Sequence, residues 1–141
     1  MNESVNEFTW PVRVYYEDTD AGGVVYYANY LKFMERARTE WLRSLGFEQD
    51  IMMQQQDVIF AVRSIEIDFI KPARFNDALQ VSAQLEKKGH ASMALQQEIW
   101  REHEPQTILC RARVRIASLQ ASTLTPRAIP TEITGKLNRA S

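Results

Sequence analysis

The sequence contains few of the residues on which several common classes of protein depend. Cys110 is its only cysteine, which excludes an internal disulfide framework and a metal site built from several cysteines. There are only two histidines, and both lie in stretches that predict solvated turns: His90 follows Lys-Lys-Gly, and His103 lies in Arg-Glu-His-Glu-Pro. A catalytic histidine is therefore the less favoured hypothesis.

Long apolar runs and an excess of one charge are also absent. No stretch approaches the roughly 20 apolar residues of a membrane-spanning helix. Residues 1–9 contain Glu3 and Glu7 and no apolar core, so we expect no secretory signal and a cytoplasmic location. Lys plus Arg (17) nearly equals Asp plus Glu (18), which argues against a nucleic-acid-binding protein. The 141 residues fit one domain, with a C-terminal tail from about residue 120 to 141 that ends in a short helix near residues 131–137.

The first half of the chain changes from the period of a strand to the period of a helix. Apolar and polar residues alternate from Trp10 to Glu17, which predicts a strand. Asp18 to Gly23 interrupts this pattern with two acids and a Gly-Gly pair, which is typical of a tight loop. Apolar residues then recur every three or four positions and predict a long helix over Tyr27 to Leu45. A polar stretch from Glu48 to Asp57 has room for a short helix.

The second half of the chain has the period of strands. Alternating apolar residues predict four further strands, which begin at Val58 and continue around residues 79–85, 93–99 and 108–116. Lys87 to His90 and Glu102 to Pro105 are predicted turns, so the later strands should be antiparallel neighbours. The sequence therefore predicts an α+β fold with one long helix on a five-stranded, mostly antiparallel sheet. One helix covers only one face of such a sheet, so we expect at least a dimer.

Motifs for several catalytic and nucleotide-binding sites are missing. There is no Gly-x-Ser-x-Gly nucleophile elbow, no Gly-x-x-x-x-Gly-Lys phosphate loop and no Gly-x-Gly-x-x-Gly dinucleotide loop. Asp18-Thr19-Asp20 begins like a calcium loop, but its third ligand position is Gly22, which has no side-chain oxygen, and its twelfth is Asn29, where a bidentate Glu is needed. We therefore expect no metal site in this loop.

A pair of carboxylates and a pair of glycines precede the long helix. The first amides of a helix have no internal hydrogen-bond partner, and the helix dipole favours negative charge there. A carbonyl oxygen bound at these amides would be polarised, and Asp18 or Asp20 could then attack the carbonyl or take a proton from water. Gly22 and Gly23 would let a substrate approach the backbone closely. The alternative is that Asp18 or Asp20 only caps the helix or the turn.

The segment from Tyr16 to Tyr30, which reads YEDTDAGGVVYYANY, resembles the signature of the 4-hydroxybenzoyl-CoA thioesterase family, and residues 35–40 continue the match. With residues 10–15, 72–74 and 126–128, the chain is most similar to the family's acyl-CoA thioesterases that are associated with the Tol-Pal cell-envelope system. The resemblance implies the hot-dog fold, in which an antiparallel sheet wraps a long central helix. It also implies hydrolysis of a short-chain or aromatic acyl-CoA.

The resemblance assigns roles to individual residues. It implies that Asp20 is the catalytic carboxylate, as nucleophile or general base, and that the backbone amide of Tyr27 polarises the thioester carbonyl. Asp18 and Gly23 are expected to support the loop, and Asn29 either positions water or the loop or simply begins the helix. The Tol-Pal-associated subgroup commonly has His where this chain has Tyr27, so a backbone donor is retained but an imidazole is not.

A rival carboxylate and several contact residues complete the candidates. Glu35 is the rival, because another hot-dog subgroup uses an acid on the central helix. A surface pair with Arg38, three residues further on, explains Glu35 more simply. We expect Tyr26, Lys87 and Lys88 to contact the substrate, the two lysines through the phosphates of coenzyme A.

Arg111, Arg113 and Arg115 project from one face of the last predicted strand. They could meet phosphates or an acidic acyl carrier protein, or they could form a solvated face that pairs with acids on a neighbouring strand. Coenzyme A is part of the substrate, so no cofactor is implied. The resemblance further implies a homodimer or homotetramer with sheets edge to edge and the site at the interface, in the cytoplasm or peripheral to the inner membrane.

Two other functions remain open from the sequence. The first is an interaction module for acyl carrier protein or the cell envelope with vestigial thioesterase activity, which the departure at Tyr27 and the arginine face would suit. The second is a hot-dog dehydratase acting on hydroxyacyl thioesters. Such enzymes usually combine a His with an acid, and the helix-entry signature contains no His.

Overall fold

The computed structural model describes residues 7–140, with side chains as far as Leu137. Strands and helices alternate irregularly along the described chain, and a short 3-10 turn (Tyr16–Asp18) precedes the first helix. In chain order the elements are β1 (Glu7–Arg13), α1 (Ala28–Ser44), α2 (Gln49–Gln56), β2 (Val58–Phe69), β3 (Ala78–Lys88), β4 (Ser92–Arg101), β5 (Glu104–Gln120) and α3 (Thr131–Ala140). The long helix is one residue shorter at each end than its periodicity predicts.

The sheet has the strand order β1-β3-β4-β5-β2, and every pairing within it is antiparallel. β3, β4 and β5 are joined by short turns and lie side by side, as predicted. The expectation that β2 also neighbours β3 is wrong, because residues 70–77 form a link long enough to carry the chain across the end of the sheet. β2 therefore lies at one edge, paired with β5, and β1 lies at the other.

The core lies between α1 and one face of the sheet. Phe33, Met34 and Ala37 of α1 are fully buried, at the three-to-four-residue period seen in the sequence. The buried residues of the strands that complete this core include Leu79, Val81, Ala83, Leu95, Ile99 and Val114. Burying a large apolar side chain stabilises a fold by about 1.5–3 kcal/mol. This layer therefore holds the start of α1, and the loop before it, in a fixed position.

A glutamine is enclosed within this layer. Gln97 of β4 has no exposed surface, and its Nε2 donates to the carbonyls of Met34 and Ser82 at 3.1 Å each. Its Oε1 accepts from Nη1 of Arg38 at 2.9 Å. The expected surface pair of Arg38 with Glu35 is therefore wrong, because the guanidinium turns under α1. Burial lowers the pKa of Arg38, and the charge of Glu35 offsets part of that effect.

The ends of the strands differ from the sequence prediction. β1 begins and ends earlier than the predicted strand over Trp10 to Glu17. Lys87 and Lys88 extend β3 instead of forming the turn, because a bulge after Leu85 lets the strand continue along β4. The turn itself falls at residues 89–91.

The C-terminal segment packs against the core. The predicted short helix is present as α3, and its residues Ile133 and Leu137 are buried among the core residues. The prediction that the N-terminus is not a secretory signal concerns mainly residues 1–6, which lie outside the described residues.

Candidate active site

The loop between β1 and α1 folds back on itself and presents Asp20 at its turn. The Asp20 N–H donates to the carbonyl of Val24 at 2.9 Å, and the Gly23 N–H donates to the carbonyl of Asp20 at 3.0 Å. Gly23 has a φ of +81°, which a residue with a side chain adopts only under strain. The second glycine of the pair is therefore required by the turn that carries the acid.

The carboxylate of Asp20 belongs to an exposed residue and is held by one hydrogen bond. Its Oδ1 accepts from the N–H of Gly22 at 2.9 Å, and a Cβ at Gly22 would lie only 3.3 Å from that oxygen. Oδ2 meets no hydrogen-bond donor among residues 7–140. Asp20 therefore caps the turn, which the sequence offered as the alternative to a chemical role. Its second carboxylate oxygen remains free to act on a bound molecule.

Asp18 and Asn29 anchor the loop to the start of α1. Oδ2 of Asp18 accepts from the N–H of Tyr15 at 2.8 Å. The carbonyl of Asp18 accepts from the N–H of Tyr26 and from Nδ2 of Asn29, each at 2.9 Å. Asn29 is only 9% exposed, so its amide holds the loop from inside the molecule. Both residues act here on the backbone of the loop.

The amides at the start of α1 are available to a ligand. Tyr27 immediately precedes the helix, with helical φ and ψ of −60° and −29°, and no side chain caps it. Within residues 7–140, neither the N–H of Tyr27 nor that of Ala28 has a hydrogen-bond acceptor. These donors lie at the positive end of the helix dipole. The geometry therefore suits a carbonyl oxygen that gains negative charge.

A segment that links β2 to β3 supports this loop. The N–H of Val25 donates to the carbonyl of Ala73 at 2.8 Å. The N–H of Ala73 in turn donates to the hydroxyl of Tyr30 at 2.9 Å. Burial raises the pKa of Tyr30, so its phenol stays neutral while it accepts this bond. The loop and α1 are thus tied to the same short stretch of backbone.

Arg101 at the end of β4 fixes the linking segment. Its Nε donates to Oδ2 of Asp77, and its Nη2 donates to the carbonyl of Pro72, each at 2.9 Å. Oδ2 of Asp77 also accepts from the N–H of Arg74 at 2.9 Å. Sequence reasoning missed Arg101 and Asp77, because they are 24 positions apart and no local pattern joins them. The family resemblance at residues 72–74 was the one signal that pointed to this segment.

A shallow cleft of about 200 Å³ opens beside Tyr27. Its lining consists of Val25, Tyr27, Tyr30, Phe69, Ile70, Lys71 and Pro72. The ring centroid of Phe69 lies 5.8 Å from that of Tyr27 and 5.6 Å from that of Tyr30. The ring centroid of Tyr26 lies 4.8 Å from that of Tyr27. A hydrogen bond with Tyr27 raises the pKa of Tyr26. The cleft can therefore take an apolar or aromatic group next to the helix entry. Asp20 is not among its lining residues.

Lys87 and Lys88 lie at the end of the sheet opposite to this loop. Arg13 leads into the loop and pairs with Ala78 at the start of β3. The distance along β3 from Ala78 to Lys87, at about 3.3 Å per residue, is roughly 30 Å. Within one chain the structure does not bring these lysines to Asp20. A contact of both with one substrate would require a second copy of the chain.

Two of the three predicted arginines on β5 are paired with acids. Nε of Arg111 lies 2.8 Å from Oε2 of Glu98, and Nε of Arg113 lies 2.7 Å from Oε1 of Glu86. Arg115 forms no such pair with any residue that the structure describes. The alternative of a solvated, paired face is therefore confirmed for Arg111 and Arg113.

The described part of the chain has neither a cluster of metal ligands nor a reactive thiol. No group of three or more His, Cys, Asp or Glu side chains in it could hold a metal ion. Cys110 is fully buried, and burial, with the nearby charge of Asp68, raises the pKa of its thiol to about 12. No helix within residues 7–140 is long and apolar enough to cross a membrane.

Comparisons with known proteins agree with this architecture. Residues 22–115 match the family model of the thioesterase superfamily. The chain is 41% identical over 128 residues to the acyl-CoA thioesterase YbgC of Haemophilus influenzae, which covers 91% of this chain and 92% of that protein. It is 40% identical over 132 residues to the acyl-CoA thioester hydrolase YbgC of Escherichia coli O6:H1, which covers 94% of this chain and 96% of that protein.

A solved structure shares the fold. The crystal structure of a probable thioesterase from Bartonella henselae superposes with a TM-score of 0.82 at 33% identity, covering 88% of this chain and 99% of that one. The range that matches the family model includes Tyr27 and Asn29 and begins two residues after Asp20. The predicted α+β hot-dog architecture is confirmed, with α1 as the long central helix on the antiparallel sheet. The chain belongs to the thioesterase superfamily.

Proposed function

We propose that this protein hydrolyses the thioester bond of an acyl-CoA, with Asp20 as nucleophile or general base and the N–H of Tyr27 as oxyanion donor. The observation that carries the proposal is found in a single loop. Asp20 is exposed there, and one of its carboxylate oxygens accepts no hydrogen bond. The N–H of Tyr27, at the start of α1, has no hydrogen-bond acceptor among the described residues. The names of relatives that are 40–41% identical, acyl-CoA thioesterase and acyl-CoA thioester hydrolase, support the substrate class.

Either mechanism consumes one water and releases a carboxylic acid and a free thiol. In the nucleophilic route, the carboxylate of Asp20 attacks the thioester carbonyl, the thiolate leaves and takes up a proton, and water cleaves the resulting anhydride. In the general-base route, the carboxylate takes a proton from water as that water attacks the carbonyl. In both routes negative charge develops on the carbonyl oxygen, where the amide of Tyr27 stabilises it. One such donor is typically worth about 10²–10³ in rate.

The cleft beside Tyr27 is the proposed acyl site. Its aromatic and aliphatic walls suit a short-chain or aromatic acyl group rather than a charged one. Tyr26 flanks it through its contact with Tyr27. Lys71 is the charged residue of the lining, and it can meet polar groups of the pantetheine arm as they leave the cleft.

We propose in addition that two copies pair through β2. This strand is at the edge of the sheet, and unpaired edge groups can add another strand. Its side chains Val62 and Phe69 are about half exposed, at 49% and 48%. Two β2 strands related by a twofold axis would run antiparallel, which would bring Lys87 and Lys88 of one copy toward the loop of the other. Such a dimer, or a pair of dimers, would work in the cytoplasm or at the inner membrane beside the Tol-Pal system, as the resemblance implies.

The experiment that tests the function is a product assay on a series of acyl-CoA substrates. We expect stoichiometric free thiol and carboxylic acid, with the highest kcat/KM for short-chain or aromatic acyl groups. Thioesters of acyl carrier protein, assayed in parallel, decide between the two carriers. Formation of an enoyl thioester would show a dehydratase instead, and the absence of any turnover would favour the interaction module. The interaction module has already lost part of one of its grounds, since Arg111 and Arg113 of the arginine face each pair with an acid.

A further inference from the structure

A cavity of about 170 Å³ lies between the second half of α1 and the sheet. It shares no lining residue with the cleft beside Tyr27. Arg38, which lines it, lies roughly 16 Å from Tyr27 along the helix axis, at about 1.5 Å per residue. Neither the proposed reaction nor the match to relatives assigns a role to this cavity. Its apolar walls include Trp41, Leu42, Phe60, Met93, Leu95 and Ile116.

Arg38 brings a positive charge to these apolar walls. Its Nη1 donates to Oε1 of Gln97 at 2.9 Å. A guanidinium carries five N–H groups, and the others of Arg38 have no acceptor among the described residues. No carboxylate within residues 7–140 forms an ion pair with it. A charge removed from water destabilises a fold unless it has partners, so this arrangement is typical of a site that an anion completes.

Gln97 fixes the guanidinium in place before any ligand binds. Its own amide nitrogen donates to the carbonyls of Met34 and Ser82, which directs the amide oxygen toward Arg38. Gln97 is fully buried, so water does not compete for these bonds. A donor that is already held loses less conformational entropy when it binds a ligand.

The remaining polar residues of the lining are Glu35, Thr39 and Gln49. Nε2 of Gln49 donates to Oγ1 of Thr39 at 3.2 Å. Glu35 is exposed, and its charge offsets part of the effect of burial on the pKa of Arg38. Glu35 should therefore oppose the binding of an anion at Arg38, although it forms no ion pair with that residue.

We propose that this cavity binds a compact organic acid, with its carboxylate on Arg38 and its hydrocarbon part between the apolar walls. Cavities of roughly 150 Å³ hold a molecule the size of benzene, so the volume suits an acid such as benzoate. A guanidinium matches a carboxylate through paired N–H groups. One cation among apolar walls fits a singly charged anion better than a phosphate, which carries more charge and is more strongly hydrated.

The carboxylate can come from two sources. One is a free acid, such as the acid that the proposed hydrolysis releases. The other is the far end of an acyl group that carries a second carboxylate, and this source rests on the proposed function. A groove whose lining includes Leu31 shares Glu35, Arg38 and Val62 with the cavity. Leu31 is about one helical turn after Tyr27, so the groove leads from the helix entry toward Arg38.

The test is an NMR titration of the isotope-labelled full chain with sodium benzoate and, separately, with benzamide and inorganic phosphate. Trp41 lines the cavity, whereas Trp10 and Trp100 lie outside the lining, so the three indole N–H signals report on the site and on the rest of the fold. We expect benzoate to shift the signal of Trp41 saturably and to leave the other two unchanged. Benzamide has the same ring and no charge, and it should bind at least about tenfold more weakly. Phosphate should not compete with benzoate.

Three variants connect this binding to the charge of Arg38. Arg38→Gln should bind benzoate at least about tenfold more weakly, because hydrogen bonds to a charged group are lost. Arg36→Gln is the matched control, since Arg36 is an exposed arginine of α1 outside the lining, and it should bind as wild type does. Glu35→Gln changes an exposed residue and provides a test even if Arg38→Gln does not fold. It should bind benzoate about two- to fivefold more tightly, because an opposing charge is removed.

Steady-state kinetics of Arg38→Gln identify the source of the carboxylate. The substrates are acyl-CoAs with a terminal carboxylate, in a series of increasing length, and the matching acyl-CoAs without it. A KM raised only for the carboxylated series assigns the cavity to the acyl group. An unchanged KM for both series, together with lost benzoate binding, assigns it to a free acid.

The proposal is overturned if benzoate does not shift the Trp41 signal, or if benzamide or phosphate binds as tightly as benzoate. It is also overturned if Arg38→Gln binds like wild type, if Glu35→Gln does not bind more tightly, or if KM rises equally for both series. The titrations require no turnover, so their outcome is independent of the role proposed for Asp20.

Discussion

Asp20 lies in a turn whose shape depends on the two glycines that follow it. Gly22 donates its N–H to one oxygen of the carboxylate, and Gly23 provides the positive φ that closes the turn. The sequence was sufficient to indicate this acid and this pair of glycines. It could not indicate that one oxygen is used by the turn and the other is left free, because that division depends on the dihedral angles of the folded loop.

Gly23→Ala should destabilise the protein more than Gly22→Ala does. The φ of +81° at Gly23 costs a residue with a Cβ about 1–2 kcal/mol, whereas Gly22 has an ordinary φ and a crowded but not forbidden Cβ position. Urea unfolding of the two variants measures the difference in the free energy of unfolding. Equal losses would show that the described turn is not maintained in solution.

Cys110 should resist modification in the folded protein. Its pKa of about 12 leaves almost no thiolate at pH 8, and the residue has no exposed surface. Reaction with a thiol reagent should therefore be slow in buffer and rapid in denaturant. Because the folded pKa lies above that of an unfolded cysteine, stability associated with this thiol should be full below about pH 8.5 and should fall as the pH rises above it. Rapid stoichiometric labelling of the native protein at pH 8 would contradict this account.

At the scale of secondary-structure elements, the position of α1 is set from two sides. Its apolar face packs on the sheet, and the segment that links β2 to β3 ties its first turn to the β1–α1 loop through Ala73 and Tyr30. Arg101 holds that segment from the end of β4. The loop that carries Asp20 is therefore positioned by elements distant from it in the sequence.

Arg101→Met should destabilise the protein and also lower kcat. The ion pair with Asp77 is mostly buried, with side-chain exposures of 17% and 19%. Its loss leaves Asp77 with only the N–H of Arg74 as a donor and removes the donor that Arg101 supplies to the carbonyl of Pro72. Hydrogen bonds to charged groups of this kind are worth about 1.5–3 kcal/mol. Thermal unfolding and steady-state kinetics measure the two effects.

The matched control for that variant is Arg111→Met, which removes the exposed pair with Glu98. Exposed pairs contribute about 0–1 kcal/mol, so this variant should remain close to wild type in both measurements. If the two variants were equally stable and active, the linking segment would not position the site.

Local patterns predicted the helices and strands well. They did not predict which elements or residues distant in the sequence contact each other. The helical period of residues such as Phe33 and Ala37 gave α1 to within one residue at each end. The place of β2 at the edge was missed, because periodicity records which face a strand buries and not which strand it pairs with. The contact of Arg38 with Gln97 was missed for the same reason, since it joins residues 59 positions apart.

At the scale of the whole molecule, one chain does not bring together all the groups of the proposed site. The cleft beside Tyr27 is shallow and open, and Lys87 lies at the opposite end of the sheet. The edge strand β2 runs between these two regions. A second copy placed along β2 would cover the cleft and supply positive charge from its own β3.

Val62→Asp should weaken the proposed dimer and reduce turnover together. Val62 is 49% exposed on the edge strand β2, and a charge on each of two adjoining β2 strands would repel. Thr9→Asp, on the opposite edge strand β1, is the control and should leave association intact. Analytical ultracentrifugation over a range of concentrations measures the association. A wild-type protein that is monomeric and fully active would contradict the paired arrangement.

The most direct measurement of the central claim is the kcat of Asp20→Asn on an acyl-CoA that wild type hydrolyses. The substitution keeps the size of the side chain and the acceptor for the Gly22 N–H but removes the negative charge that attacks the carbonyl or accepts the proton from water. We expect kcat to fall by about 10²–10⁴, with the fold and KM little changed. Glu17→Gln, an exposed acid in the same loop, is the control and should keep wild-type turnover. A kcat for Asp20→Asn close to that of wild type would contradict the account.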